Sequence, residues 1–568
     1  MATRGMAARL LQWKLIGRAL ADRVRAPFVR LTRSARAFVE PAADRLIIAP
    51  QDLRTADPTV ATDIYAGVFV FSGQIVECNG RSPFEMLPPS EDWARVLHGF
   101  GWLRHLRAAD TATARSNARI LVDDWLRFSD HPPIAWEADV VARRTMAWLA
   151  QSPMILADAD QGFYHRFLAG LTRQFRWLRT RWGEEPPGLP RLKVAVAVLA
   201  TAIAVDGFRR HIRVASRRLD EELRRQILPD GGHVGRNPVT ILEVLIDLLP
   251  VRQALAARGH AVSPVMMSAI DRMMPMLRFF RHGDGAFALF NGATTTPTDL
   301  VATVLAYDDT QGRPHGNAPH SGYQRLEAEK TVVVMDTGAP PPPEFARTAH
   351  AGTLAFELSS ANARFVVNCG SPFRPVPDWR RVARSTAAHS TLVIDDHSSA
   401  HIHETGLLAD LVGPVLLAGP SDVTVDRVEA EGAVAVTASH DGYAEAFGLV
   451  HERTLKLSAG GDALDGRDRV VPFEGGSGEA PFVVRFHLHP SVKLGRLGDH
   501  GVVLIGHAGE GWEFHCDDVL PTIEESVHLA DLHGLRRTSQ IVLVSGDGGP
   551  REIRWRFLRT ARSHAKGR

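Results

Sequence analysis

Cysteine is scarce in this chain. The three present, Cys78, Cys369 and Cys516, lie far apart, which excludes a disulfide framework and a CxxC metal site. Long apolar runs are missing as well: no stretch approaches the roughly 20 apolar residues of a membrane-spanning helix. No charge of one sign dominates, because 66 Lys plus Arg nearly cancel 64 Asp plus Glu. Nothing in that balance calls for nucleic acid. Low-complexity tracts and short repeats, the marks of propellers and leucine-rich arrays, do not occur. Tyrosine is rare too, with Tyr65, Tyr164, Tyr307, Tyr323 and Tyr443 the five in the chain, so few phenols are on hand for acid-base work.

What the chain does have is length and an ordinary globular composition. At 568 residues, with 45% hydrophobic and 23% charged residues, it exceeds the usual size of one hydrophobic core and calls for two large domains or a few small ones. The first 38 residues are rich in arginine, with Leu11, Leu15, Leu20, Val24 and Phe28 near helical spacing. They lack the apolar core and small-residue cleavage site of a secretory signal. Residues 1–44 therefore read as a basic amphipathic leader, which is either a solvated or packed leading helix or a peripheral contact with a membrane surface.

From about Glu91 to Arg281 the apolar residues recur with a period of 3.6. Helices are expected over Trp93 to Leu106, Ala118 to Phe128, Val140 to Leu149, Phe163 to Trp177 and Leu192 to Val205, and after Pro238 and Pro264. After about Pro319 the pattern changes to short β-branched runs between Gly, Asp, Asn and Pro, among them Lys330 to Met335, Arg364 to Asn368, Thr391 to Ile394 and Phe482 to His487. That is the pattern of an antiparallel sandwich. Asn291 to Pro319, without a sustained period, joins the two halves. His487 and His489, two apart on an expected strand, share a face and could chelate a metal.

Several strings in this order are similar to heparinase II/III family polysaccharide lyases: Phe100-Gly101-Trp102-Leu103, Asp230-Gly231-Gly232-His233-Val234-Gly235-Arg236-Asn237-Pro238, Phe290-Asn291-Gly292, His350-Ala351-Gly352, Asn368-Cys369-Gly370 and Arg384-Ser385-Thr386-Ala387-Ala388-His389-Ser390-Thr391-Leu392. The resemblance implies an amino-terminal incomplete (α/α) toroid over 45–310, a linker over 311–324 and a carboxy-terminal antiparallel β-sandwich over 325–568. It also implies an acidic polysaccharide in the cleft between the domains, cleaved by β-elimination at a uronate. No cofactor is required, although some family members hold a structural zinc in the β domain. The family suggests the cell envelope or periplasm; with no signal peptide seen, the cytoplasm is the alternative.

Elimination needs a group that neutralises the uronate carboxylate, a base for the α-proton and an acid for the leaving oxygen. His389, just ahead of an expected strand, matches the family's functional histidine. Arg384 can hold a carboxylate or sulfate with its planar fork. The loop Asp230 to Pro238 offers His233 and Arg236 as substrate contacts and Asn237 as a catalytic amide, although Asn237 also suits the N-cap of the helix that Pro238 opens. Tyr323 is the preferred phenol. The family's Glu-Arg-Ser-x-x-Tyr-His pattern appears here as Gly235-Arg236-Asn237-Pro238-Val239-Thr240-Ile241, and Leu192 to Val205 carries no Asn-His pair. Two hypotheses follow: a lyase centred on His389, or a catalytically reduced protein that binds glycans or serves envelope biogenesis.

Overall fold

The computed structural model describes residues 43 and 45–560 apart from 309–311, 375, 405, 476–477 and 508, with 12–14, 16, 17 and 20 of the leader. Its first half is helical. Helices α1 (Val60–Tyr65), α2 (Glu91–Gly99), α3 (Leu103–Ala109), α4 (Ala112–Arg127), α5 (Ala138–Ile155), α6 (Gln161–Arg181), α7 (Leu189–Ala204), α8 (Arg209–Gln226), α9 (Pro238–Ala257) and α10 (Pro264–Phe279) follow one another. The helix expected over 93–106 is two helices, because Phe100 adopts a left-handed conformation at the end of α2. Its ring stacks on Trp102 and Phe84 in the core.

Inner and outer helices differ in composition for a physical reason. Helix α7 packs against α5, α8 and α9 at once, so Leu192 and Val194 to Ala204 are all buried. A helix enclosed on every side is apolar all round. The outer α8 buries only one stripe, Ile212, Ala215, Leu219 and Leu223, and turns its arginines outward. The near absence of polar side chains from Leu192 to Val205, where only Lys193 and Thr201 are polar, thus reflects enclosure by neighbouring helices.

The second half is an antiparallel sandwich. One sheet runs, in spatial order, Val423–Ala430, Ala433–His440, Leu449–Leu457, Ala463–Pro472, Glu552–Arg559, Gly511–His515, Gly501–Ile505 and Lys493–Leu497. The other contains Tyr323–Ala328, Thr331–Asp336, Phe356–Ser360, Ala363–Val367, Phe482–Leu488, Arg536–Ser545 and Thr522–His528, with Leu392–Ile394 paired to Phe482–Leu488. Strict burial alternation along Leu449–Leu457 points Leu449, His451, Arg453, Leu455 and Leu457 inward. Two of these five are polar, and they find partners. Arg453 bonds Asp468 through Nε and Nη2, at 2.7 and 3.0 Å, and His451 and the Trp555 indole donate to the same carboxylate. A buried charge is tolerable only when satisfied in this way.

The two halves are tied together by side chains of the Asp230 to Pro238 loop. Asp230 accepts from the Ser321 backbone N–H and hydroxyl. Arg236 donates to the carbonyls of Ser321, Gly322, Gly338 and Ala339 and pairs with Asp336. A Cβ on Gly338 would lie 2.4 Å from that guanidinium, so the close approach requires glycine. Farther along the interface His282 bridges Glu357 at 2.9 Å and Ser359 at 2.8 Å.

Candidate functional site

These ties leave an open cleft along the seam. Its toroid wall is the Asp230 to Pro238 loop, the start of α9 and the segment Gly292 to Thr294; its sandwich wall is the 3-10 turn Pro343–Thr348, His350 and the helix Pro377–Arg384, here α11. Two lobes share Gly292, Thr294, Arg347 and Thr348, so they form one continuous depression, the larger lobe holding about 1540 Å³ of open space.

Each residue nominated from the sequence can now be placed. His389 is buried beneath the cleft wall, held by burial at a pKa of about 4. Its Nδ1 faces the Ser385 carbonyl at 2.7 Å and its Nε2 faces His350 Nδ1 at 3.1 Å. A carbonyl can only accept, so the His389 proton sits on Nδ1 and its Nε2 accepts from His350 Nδ1–H. A Cβ on residue 352 would lie 2.6 Å from the His389 ring, which is why Gly352 stands there. His389 therefore does not meet the cleft; His350 does.

Arg384 lines the larger lobe. Its Nε and Nη2 donate to the carbonyls of Ala349 and Ala346, at 2.9 and 3.2 Å, and Nη1 is left for the cleft. Burial lowers its pKa to about 10, against the pull of Glu404, so it is a cation at neutral pH. Asn237 caps α9 as expected, its Oδ1 accepting from Val239 N–H at 2.9 Å, while its amide nitrogen stays open to the smaller lobe.

The other three nominations require correction. His233 has both ring nitrogens engaged, Nδ1 accepting from Gly235 N–H at 3.0 Å and Nε2 bonding Gln226 at 3.1 Å, and burial drops its pKa to about 4. It shapes the loop and has no free polar atom for a substrate. Arg236 spends its guanidinium on the interdomain bonds above and is a clamp. Tyr323 is wholly buried against Phe280 and Phe290; its hydroxyl donates to the Arg236 carbonyl at 2.6 Å and accepts from Asn291 at 2.8 Å. Burial raises its pKa, so it is a pinned structural phenol. Among the described residues none of the five tyrosines lines the cleft.

The expected zinc pair does not fit a metal. His487 Nε2 bonds the Ala387 carbonyl at 2.9 Å and its Nδ1 meets Ser526 at 2.7 Å. His489 lies past the strand end, bonded to Ser491 at 2.7 Å. Burial lowers their pKa values to about 3 and about 2. Asp395 and Asp396 sit in an exposed turn, and among the described residues no three His, Cys, Asp or Glu side chains are grouped to hold a metal.

Sequence reasoning missed the residues that do face the cleft. Arg347 is exposed there, and so are Arg380 and Arg381 of α11. Among the described residues no carboxylate lies within ion-pair distance of Arg347 or Arg380, whereas Arg381 has Asp378 at 3.4 Å. Thr294 Oγ1, on the wall both lobes share, is buried without a partner. His350 stood in a string already singled out, but nothing in its spacing distinguishes it from the chain's other histidines.

Comparison with known proteins places this arrangement. Residues 310–556 match the Heparinase II/III-like, C-terminal family. The chain is 33% identical over 533 residues to FtsZ-localized protein C of Caulobacter vibrioides, covering 91% of each. It belongs to the heparinase II/III-like family. A heparan sulfate lyase HepC mutant from Pedobacter heparinus superposes with a TM-score of 0.62 at 16% identity, over 95% of this chain and 88% of that one. A heparinase III structure gives 0.67 at 13% identity, over 87% and 80%. The fold is thus that of heparinase III, an (α/α) toroid on a β-sandwich.

Proposed function

We propose that this heparinase II/III-like chain binds an acidic polysaccharide in the cleft between toroid and sandwich, and that its elimination chemistry is reduced. One observation carries the reading: the cleft presents the cations Arg347, Arg380 and Arg384, with no carboxylate in ion-pair range of them among the described residues, but no phenol. A carboxylate polymer gains from each unpaired guanidinium on a partly desolvated wall. An α-proton, in contrast, has no tyrosinate to take it. The family's Tyr position is occupied by Thr240 and its Glu position by Gly235, side chains that cannot act as bases at neutral pH.

A lyase reading keeps one specific support, the neutral imidazole of His350 open to the cleft. Titrating the purified chain with oligouronates, while following ultraviolet absorbance of unsaturated product, tests both readings. Binding without absorbance change supports the first, and weaker binding by Arg347→Ala and Arg384→Ala places it in the cleft. Product formed by the wild type and lost in His350→Ala replaces it with the second. No binding to any acidic polymer overturns both.

The relative's FtsZ localisation and the leader extend the proposal to a division-site role at the cell envelope, with the leader resting on the membrane surface. Ile16 of the leader joins an apolar cluster of the sandwich that includes Ala346, Ala349 and Val415, while Trp13 and Leu20 stay exposed. Among the described residues no helix is long and apolar enough to cross a membrane. Fluorescent fusions tracked against FtsZ, and vesicle sedimentation with and without residues 1–44, test these two elements.

A further inference from the structure

The polar atoms left over on the cleft wall form an asymmetric set. On the sandwich wall stand Arg384 Nη1 and the Arg347 guanidinium, both donors and both cationic. On the same wall stands His350, whose Nδ1–H is committed to His389. Its Nε2 has no partner among the described residues, is not sealed from solvent, and belongs to a side chain that lines the cleft. In a neutral imidazole with hydrogen on Nδ1, Nε2 is a bare lone pair. On the toroid wall of the same lobe Thr294 Oγ1 is buried without a partner, and a buried hydroxyl left unpaired marks a place where a ligand or water completes the bonding.

We infer that His350, held in one tautomer by His389, selects the ligand: its bare Nε2 accepts a hydrogen bond from a free hydroxyl of an acidic sugar whose carboxylate lies on Arg384 and Arg347. The inference rests on the cleft-binding reading and names which acidic glycans the cleft takes. His389 is a positioning residue in this scheme. The Ser385 carbonyl fixes the His389 proton on Nδ1, the His389 lone pair then fixes the His350 proton on Nδ1, and the acceptor is turned toward the cleft.

The chemistry discriminates in one direction. A free hydroxyl supplies the hydrogen that Nε2 requires. An O-acetyl or O-sulfo ester at the same position supplies only lone pairs, which face the imidazole lone pair and leave it desolvated and unbonded. Protonating Nε2 to accommodate the ester is opposed by burial of the ring and by the neighbouring Arg384 charge. The cleft should therefore favour uronates with unmodified hydroxyls over esterified ones of the same charge.

The test uses the full chain and oligomers of polygalacturonate and hyaluronan, each in native and O-acetylated form, titrated calorimetrically at neutral pH. Acetylation leaves the carboxylates and so isolates the hydroxyl. Native oligomers are expected to bind roughly five- to tenfold more tightly, the worth of one hydrogen bond. His350→Phe should bind both forms alike. In 15N imidazole spectra His350 is expected as the Nδ1–H form in the wild type, as a mixture in His389→Leu, and as the Nδ1–H form again in His389→Gln, whose amide oxygen restores an acceptor. Equal affinity for both forms in the wild type, a preference that survives His350→Phe, or a His350 spectrum unchanged in His389→Leu overturns the inference while the cleft reading stands. Absence of binding to all four oligomers overturns the cleft reading and this inference with it.

Discussion

Arg236 and His350 show how a side chain's role depends on where its polar atoms end. Arg236 stands in the motif that suggested substrate contact, yet its donors all end on the sandwich domain. Arg236→Met would leave Asp336 buried without its cation, and removing one partner of a buried pair costs about 3–5 kcal/mol. Urea denaturation is expected to register that loss. Arg236→Met with Asp336→Asn should recover part of it, because no ionised carboxylate then remains buried. A stability of Arg236→Met equal to wild type would remove the clamp. At this scale the sequence was informative about place and silent about role. His389 was nominated from its segment but lies buried behind the cleft wall, and the ring that opens to the cleft is that of His350, 39 positions away in sequence.

Helix α9 and its cap carry the same lesson to the level of elements. Asn237, Pro238 and the stripe Ile241, Leu242, Leu245, Leu248 and Leu249 announce a helix start and a buried face, and both are found. One side chain serves two ends: Asn237 Oδ1 caps the helix while its amide nitrogen faces the smaller lobe. Asn237→Ala is expected to lower stability by about 1 kcal/mol. Asn237→Asp keeps the capping oxygen, so its thermal midpoint should stay near wild type while affinity for an acidic oligomer falls, since a donor is exchanged for a negative charge. Should Asn237→Asp bind as tightly as wild type, Asn237 has no place in the ligand site. Other elements were legible where their pattern was local. Strands such as Val423–Ala430 and Ala463–Pro472 were not: the first is an edge strand with no buried position, and the inward positions of the second include Asp468 and Gly466, so neither shows an apolar alternation.

Over the whole molecule the buried histidines set the response to acid. His233, His389 and His487 are held by burial at about 4, about 4 and about 3, against 6.5 when unfolded. Between those values and pH 6.5 the unfolded chain binds more protons than the folded one, so stability rises with pH there and falls on acidification. Each such histidine contributes about 1.4 kcal/mol per pH unit over that window. Below the ordinary aspartate range Asp468, held low by Arg453 and His451, adds to the loss. Thermal midpoints are thus expected to be level above pH 7 and to drop steadily from pH 6.5 to pH 5, before most carboxylates titrate. A flat profile across pH 5–7 would contradict the buried neutral state of these rings.

The sequence alone determined what depends on neighbours along the chain: helices followed by strands, the apolar run of helix α7 and the cap at Asn237, while the segment Arg384 to Leu392 was singled out by its family resemblance. Periodicity and capping act within a few residues, so they can be read from order. Tertiary structure alone decided which polar atoms remain free. Whether Tyr323 is an acid or a pin, whether His487 is a ligand or a strut, and which imidazole opens to the cleft depend on carbonyls and side chains brought from distant positions. A buried donor takes whatever acceptor the fold sets beside it, and only the folded chain shows which atoms are left over for a ligand.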